Sequence, residues 1–386
     1  MISKGHKKHA DLVKPSIGNF CRNEWAFVGG QCADIKALAG GIIQVLSANY
    51  KFAYVDASHK EVGSLPGRLA DGATLELTDE QNYNQLNYAV NPGSFKLREL
   101  FGGIDVVLVN GNHHQAKAQV IIIDESKKAS LQKRIGQLTN VQMILLAEGT
   151  TEIFDFIKEA LPAWQELPLF KIAETENIIS FFREKMLRAK PKLNGLVLAG
   201  GKSERMGFDK GAIQWHGMEQ RYHAADLLKP FCKEVFISCR AGQQSEINTE
   251  YLSLADTFTG LGPYGAILSA FRERPDDAWL VIACDLPLLN ENTLKYLTDN
   301  RNVASLATAY QSSFDGFPEP LIAIWEPKSY SVLLSFLAQG YSCPRKVLIN
   351  NDITLLTAPN PDDLTNVNTP EEFEQVKSRL HSKITA

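Results

Sequence analysis

LNGLVLAGGKSERMGFDKG, residues 193–211, decides how this chain is read. Leu193 to Ala199 is a short, mostly apolar run that predicts a buried strand, and it breaks at Gly200-Gly201 into a polar loop. Successive amides of a glycine-bearing turn can aim their N–H groups into one concavity, and Lys202, Arg205 and Lys210 bring positive charge to the same place. The loop therefore reads as a phosphate site, against the plainer reading of a strand-to-helix turn with solvated charges. It is not the P-loop G-x-x-x-x-G-K-S/T, because Gly201 is followed by KSERMGF.

Outward from this stretch, apolar runs and helical patterns alternate on both sides, which is the signature of α/β domains with mostly parallel sheets. After it come EVFISC (234–239), a helix from about Gly262, WLVIACD (279–285), a helix from Glu291, then VASLATAY and EPLIAIW. Before it come WAFV (25–28), FAYVD (52–56), IDVVLVN (104–110), AQVIIID (118–124) and VQMILLAE (141–148), with helical spacing over 33–47 and 126–138. The charged helical stretch TENIISFFREKMLRAK ends at Pro191, so a boundary near 190–192 divides the chain into domains 1–190 and 191–386. At 386 residues, each domain is long enough to bury its own core.

The ordered pattern L-A-G-G-x-S-x-R-M-G-x-D-K-G resembles the opening signature of nucleotidyltransferases that join a nucleoside monophosphate to a phosphorylated acceptor. It is most similar to the molybdenum cofactor guanylyltransferases, the MobA family, and the resemblance runs over 193–380. It implies a Rossmann-like nucleotidyltransferase fold, the nucleotide-diphospho-sugar transferase type. It also implies transfer of GMP from GTP to molybdopterin, with pyrophosphate released and Mg2+ as cofactor. Asp285 closes a strand and precedes Leu-Pro, a place suited either to hold a magnesium ion or to cap the next turn. CDLP matches the family's C-D-x-P, in which the aspartate binds the metal.

By the same resemblance, Leu198, Ala199, Gly200 and Gly201 would cradle the nucleotide in the form associated with purines. Arg205 would hold the β- and γ-phosphates, Lys210 would neutralise charge on the α-phosphate, and Asp256 with Gly262 and Pro263 would lie along the nucleotide. Ser238 stands where the family has Asn, and Ala266 where many relatives have Gly. Arg345 and Lys346 are candidates for the acceptor's phosphate or for a solvated basic pair. In NVNTPEE, Thr369 is an N-cap, Pro370 the first helical residue and Glu372 the partner in a capping box. The resemblance adds that Asn366 and Asn368 would face the pterin.

The first half carries a second glycine loop at Gly29-Gly30-Gln31. Measured against the P-loop from Gly30, it keeps the first glycine and Lys36, but Ile35 replaces the second glycine and Ala37 the hydroxyl residue. Ile resists a positive φ, and Ala offers magnesium no hydroxyl. With VVLVNG (106–111), this half is similar to the P-loop adaptor of molybdenum cofactor synthesis, the MobB family, though Asn110 stands at its acidic position. A degenerate P-loop NTPase-like fold serving binding or scaffolding is the expectation. The loop histidines His113-His114 lack cysteine or carboxylate at ligand spacing, and DESKK (124–128) reads as a solvated helix start.

Composition bounds the rest. A hydrophobic fraction of 44%, a charged fraction of 22% and a net charge of −4 describe a globular protein without a nucleic-acid surface. No run approaches the roughly 20 apolar residues of a membrane helix, and the basic start has no apolar core behind it. The cysteines Cys21, Cys32, Cys232, Cys239, Cys284 and Cys343 form no C-x-x-C, so reduced thiols and a cytoplasmic setting are expected. Two other readings stand beside guanylyl transfer. One is transfer of CMP or AMP to a pterin or sugar phosphate, which Ser238 leaves open. The other is a carrier that presents the cofactor to molybdoenzyme clients or other cofactor-synthesis proteins.

Overall fold

The structure, a computed structural model, describes residues 11–58, 65–201 and 210–384, the last four by backbone alone. It divides into two compact units. One is Ile17–Ala189; the other is Lys190–Ala386 together with the segment ending at Ser16, whose N–H donates to the Asp276 carboxylate at 2.7 Å.

In the first unit the strands are β1 (Glu24–Val28), β2 (Phe52–Val55), β3 (Leu75–Asp79), β4 (Asn84–Tyr88), β5 (Val106–Asn110), β6 (Ala118–Ile123), β7 (Val141–Leu146) and β8 (Leu169–Lys171). Six of them form a parallel sheet in the order β2-β5-β1-β6-β7-β8. The central strands are continuous apolar runs because both faces are covered. On one face, α1 (Cys32–Leu46) and α5 (Thr175–Arg188) pack Ile35, Leu38, Ile42 and Phe182 against Trp25 and Phe27. The other face is covered by Leu131 of α3 (Lys128–Gln132) and Ile157 of α4 (Asp155–Ala160), with Phe101 after α2 (Gly93–Leu100) at its margin.

Three features differ from the sequence expectations here. The hairpin β3–β4, whose residues are mostly exposed, was not foreseen in the apolar pattern. The helix expected over 126–138 breaks into short 3-10 turns on either side of α3, since Gly136 weakens its last turn and Leu131 is the one buried anchor of α3. Asp124 is itself buried and caps that turn, accepting from the Ser126 N–H at 2.8 Å, so DESKK is more than a solvated start.

The second unit contains β9 (Leu193–Leu198), β10 (Val235–Cys239), β11 (Leu252–Ala255), β12 (Ala278–Ala283), β13 (Ala307–Gln311), β14 (Pro318–Trp325) and β15 (Thr354–Leu356). Their order is β11-β10-β9-β12-β14-β13-β15, with β14 antiparallel to both of its neighbours and every other pairing parallel. Its helices are α6 (Gln220–Leu228), α7 (Pro263–Glu273), α8 (Glu291–Asp299), α9 (Ser329–Ala338), α10 (Pro344–Ile349) and α11 (Pro370–Ile384). α6 and α8 cover one face and α7, α9 and α10 the other, so both units are doubly wound α/β folds.

The register sets Trp279 against Trp325, and both rings are fully buried. Arg301 and Glu326 form a buried two-pronged ion pair at 2.6 and 2.9 Å, and Arg301 also donates to the Pro191 carbonyl where the unit begins. The capping box forms: the Thr369 hydroxyl accepts from the Glu372 N–H at 3.3 Å, and the Glu372 carboxylate accepts from the N–H groups of Thr369 and Asn368 at 3.1 and 2.6 Å. α11 thereby fixes the 366–369 segment. Strand order reverses between β9 and β12, and a crevice opens beyond the carboxyl ends of such strands.

Candidate active site

The crevice holds a cleft of about 230 Å³, lined among others by Leu198, Ala199, Gly200, Gly201, Lys210, Ser238, Asp256, Gly262 and Asp285. Every one of the nucleotide-side residues expected from sequence and described here is in that lining. Arg205 lies outside the described residues. The pleat explains the convergence. Leu198 is paired with Ser238 on one side and Ala283 on the other, so β9, β10 and β12 end level, and the residues just past their ends share one space.

Lys210 and Asp285 meet in its lining. The Lys210 ammonium lies 3.4 Å from an Asp285 carboxylate oxygen and donates to the Asn368 side-chain oxygen at 2.6 Å. Burial pushes the Asp285 carboxyl above its ordinary pKa, and Lys210 pulls it back only in part. A carboxylate so placed gains from any further cation. Asp285 is also tied to the 366–369 segment through its carbonyl, which accepts from the Val367 N–H at 3.0 Å.

On the opposite wall, the Ser238 hydroxyl donates to Asp256 at 2.7 Å and is almost fully buried. Ser238, expected from sequence at the nucleotide, lines the cleft and also donates its hydroxyl to Asp256. Burial raises the Asp256 carboxyl, and the Ser238 hydrogen bond opposes the rise. The second Asp256 oxygen lies where a Cβ on Gly200 would approach within 3.3 Å, so the loop closes on this carboxylate because residue 200 has no side chain. Gly262 has φ +56° at the start of α7, a conformation other residues adopt at a cost.

A second pocket of about 260 Å³ adjoins the first and shares Asp285 and Leu321 with it. Arg345, Asn366 and Asn368 line it, as do Glu319 and Leu364. Asp285 thus stands on the wall between two spaces. Arg345 is not a loose cation: its guanidinium donates to Asp315 at 2.8 Å and to Glu319 at 3.0 Å. Lys346 leaves the pocket and sits over the Tyr341 ring at 5.1 Å.

The first unit's loop is built otherwise. α1 begins at Cys32, so Gly29, Gly30 and Gln31 alone separate it from β1, and Lys36 lies a turn inside the helix. The Gly29 N–H donates to Asn112 at 3.1 Å, and Lys36 pairs with Asp56 at 3.4 Å. Asp56 accepts from Asn110 at 2.8 Å, Tyr54 at 3.0 Å and the Ala57 N–H at 2.8 Å. Burial would raise its pKa, but these hydrogen bonds outweigh it and hold the carboxyl below the usual range. His113 approaches Cys32 at 3.7 Å, whereas His114 packs edge-on to Phe20. Among the described residues, no group of three His, Cys, Asp or Glu could hold a metal ion.

Sequence reading missed the Ser238–Asp256 and Lys210–Asn368 contacts, Glu319, and a stacked His216–His223 pair with ring centroids 3.8 Å apart. His216 contacts the Pro287 carbonyl at 2.9 Å, directly behind the Asp285 turn.

Comparison with known proteins bears on the second unit. Residues 195–352 match the MobA-like NTP transferase domain family. Over 185 residues the chain is 36% identical to a Synechocystis protein described as a molybdenum cofactor biosynthesis bifunctional protein, covering 48% of this chain and 53% of that one. The chain thus spans about half the length of that relative. It is 29% identical over 202 residues to a molybdenum cofactor guanylyltransferase from a Shewanella species, covering 50% of this chain and 98% of that one. A solved structure, molybdopterin-guanine dinucleotide biosynthesis protein A from Archaeoglobus fulgidus, aligns at 20% identity with a TM-score of 0.43, covering 49% of this chain and 99% of that one.

Proposed function

We propose that this chain, whose residues 195–352 match the MobA-like NTP transferase domain family, acts in molybdenum cofactor biosynthesis by transferring GMP from GTP to molybdopterin or its molybdenum-loaded form. The observation that carries this reading is Asp285, which lines both of two adjoining pockets and has the Lys210 ammonium 3.4 Å away in the first of them. Two substrates meeting at one pair of charges is what a group transfer requires.

In the reaction, a terminal phosphate oxygen of the acceptor forms a bond to the α-phosphorus of GTP as the bond from that phosphorus to the β-phosphate oxygen breaks. Pyrophosphate leaves with the electron pair. The nucleophile is already ionised, so the protein's part is alignment and charge neutralisation. The amides at Gly200 and Gly201 would face the phosphates, and Lys210 would meet the charge that builds on the α-phosphate. Asn368 orients that ammonium through its 2.6 Å hydrogen bond. Arg205 is assigned the β- and γ-phosphates.

Of the two carboxylates that line the cleft, Asp256 accepts from the Ser238 hydroxyl while Asp285 faces the Lys210 ammonium, and one such carboxylate suits Mg2+, which takes one or two protein carboxylates and completes its shell with phosphates and water. Asp285 is the residue that would hold it, and bound there it would offset phosphate charge. The six free thiols suit the reducing cytoplasm. The first unit, its glycine loop closed on itself, is assigned a scaffolding role toward clients of the cofactor.

The Ser238 hydroxyl spends its proton on Asp256 and keeps only acceptor capacity toward the cleft, so CTP or ATP remains the alternative donor. Pyrophosphate release from the purified chain with Mg2+ and a molybdopterin source separates them. Release with GTP alone is expected. Release with CTP or ATP instead moves the donor, and release with none of the three overturns the transferase reading.

A further inference from the structure

We propose that the Glu319–Arg345 pair reads the ring edge of the acceptor, rather than Arg345 binding the acceptor's phosphate. The inference rests on the pterin-acceptor reading above. Arg345 is held by Asp315 at 2.8 Å and Glu319 at 3.0 Å, so the three groups together carry an excess of negative charge. A phosphate placed there would lose as much to the two carboxylates as it gained from the guanidinium. The Lys210 ammonium, 3.4 Å from the Asp285 that the two pockets share, is the better place for it.

What the pair does offer is a hydrogen-bonding edge. A carboxylate only accepts and a guanidinium only donates. Glu319, on β14, and Arg345, at the start of α10, lie side by side in the lining of the pocket, and Leu286, Ile322 and Leu364 supply apolar surface to the same space. Two acceptors beside a donor complement one ring pattern closely. A 2-amino-4-oxopyrimidine, the reading edge of a pterin, presents the 2-amino N–H and the ring N3–H as donors and the 4-oxo group as an acceptor. Glu319 takes the two donors and Arg345 the oxo group, while apolar side chains meet the ring face. Asn366 and Asn368 line the same pocket toward Asp285, where the phosphate end of the acceptor is needed.

The test uses the full chain with its nucleotide cleft filled by α,β-methylene-GTP, which cannot be cleaved. It is titrated with pterin and with lumazine, in which a 2-oxo group replaces the 2-amino group, and ring fluorescence is followed. Binding pterin at least about tenfold tighter than lumazine is expected, since a lost hydrogen bond to a charged acceptor carries that penalty. Glu319→Gln, with its melting temperature and methylene-GTP affinity unchanged, should erase or reverse the preference, because its amide can donate to a 2-oxo group. Equal binding of the two rings by the native chain, or no binding of either, overturns the proposal without any variant having to fold. So does a Glu319→Gln chain that keeps the preference. Loss of pyrophosphate release with the ring preference intact would instead sink the guanylyltransferase reading and leave this one standing.

Discussion

Gly29-Gly30 follows the first strand of one sheet and Gly200-Gly201 the first strand of the other, and a lysine comes after each, Lys36 and Lys210. In the first unit the connection to α1 is so short that its helix starts at once, and the lysine is carried onto the helix side. There it meets Asp56, whose oxygens are already occupied by Asn110, Tyr54 and Ala57. In the second unit a long connection separates β9 from Lys210, whose ammonium reaches Asp285 and Asn368 at the edge of a cleft. The two loops differ less in their glycines than in where the lysine's counter-charge sits. A carboxylate whose hydrogen bonds close inside the fold makes a structural knot. One left at a cavity wall can still take a cation or a phosphate-bound metal.

The comparison breaks most sharply through the two lysines. Lys210→Ala should lower GMP transfer by about 10²- to 10³-fold, as loss of other preorganised electrostatic groups does. Lys36→Ala should leave it within about twofold. Pyrophosphate release at saturating GTP measures both. Comparable losses in the two variants would mean that the first loop also takes part in the chemistry and that the two lysines are not functionally distinct.

A smaller effect is expected from restoring an acid at the end of β5. Asn110 is fully buried and donates to Asp56, so Asn110→Asp would set two carboxylates against each other. The replacement should destabilise the chain by roughly 1–3 kcal/mol near neutral pH, the usual range for a buried hydrogen bond lost with its partner left unsatisfied. It should leave guanylyl transfer by the folded chain unaltered. Denaturant unfolding reads the first effect, and an unchanged midpoint would show that Asp56 does not close the knot.

Much of this was legible in the sequence, and for local reasons. The apolar run into Gly200-Gly201, Asp285 at a strand's end and the Thr369–Glu372 cap are all properties of consecutive residues. What was not legible depended on contacts between distant ones. Lys210 meets Asn368 across 158 positions, and Ser238 meets Asp256 because β10 and β11 lie in register. The spacing from Gly30 to Lys36 imitates a P-loop in one dimension, yet Ala33, Ile35, Ala37 and Leu38 favour early entry into α1 and so remove the loop itself. Strand direction is likewise silent in an apolar pattern, so the antiparallel β14, which brings Glu319 into the second pocket, could be found only in the structure. Arg205 stays an assignment from the motif, since it lies outside the described residues.

The smallest effect expected is one of pH, and it sharpens the contrast by acting on the second unit. Burial, and then the neighbouring His216, push the His223 imidazole down from its ordinary 6.5 to about 4. A group whose folded pKa lies below its unfolded value adds stability above the unfolded value and loses it as pH falls through the folded one. The second unit should therefore weaken progressively below about pH 6.5, with the loss complete near 4, by about 1–2 kcal/mol once solvent screening is allowed for. His216, on which His223 stacks, contacts the Pro287 carbonyl two residues after Asp285. Melting curves between pH 7 and 4 should slope down for the native chain and flatten for His223→Gln. Parallel slopes for the two would place the acid-sensitive group elsewhere, and the steady interior of the Asp56 knot, its carboxyl held below the usual range by its hydrogen bonds, would no longer distinguish the two units in this pH window.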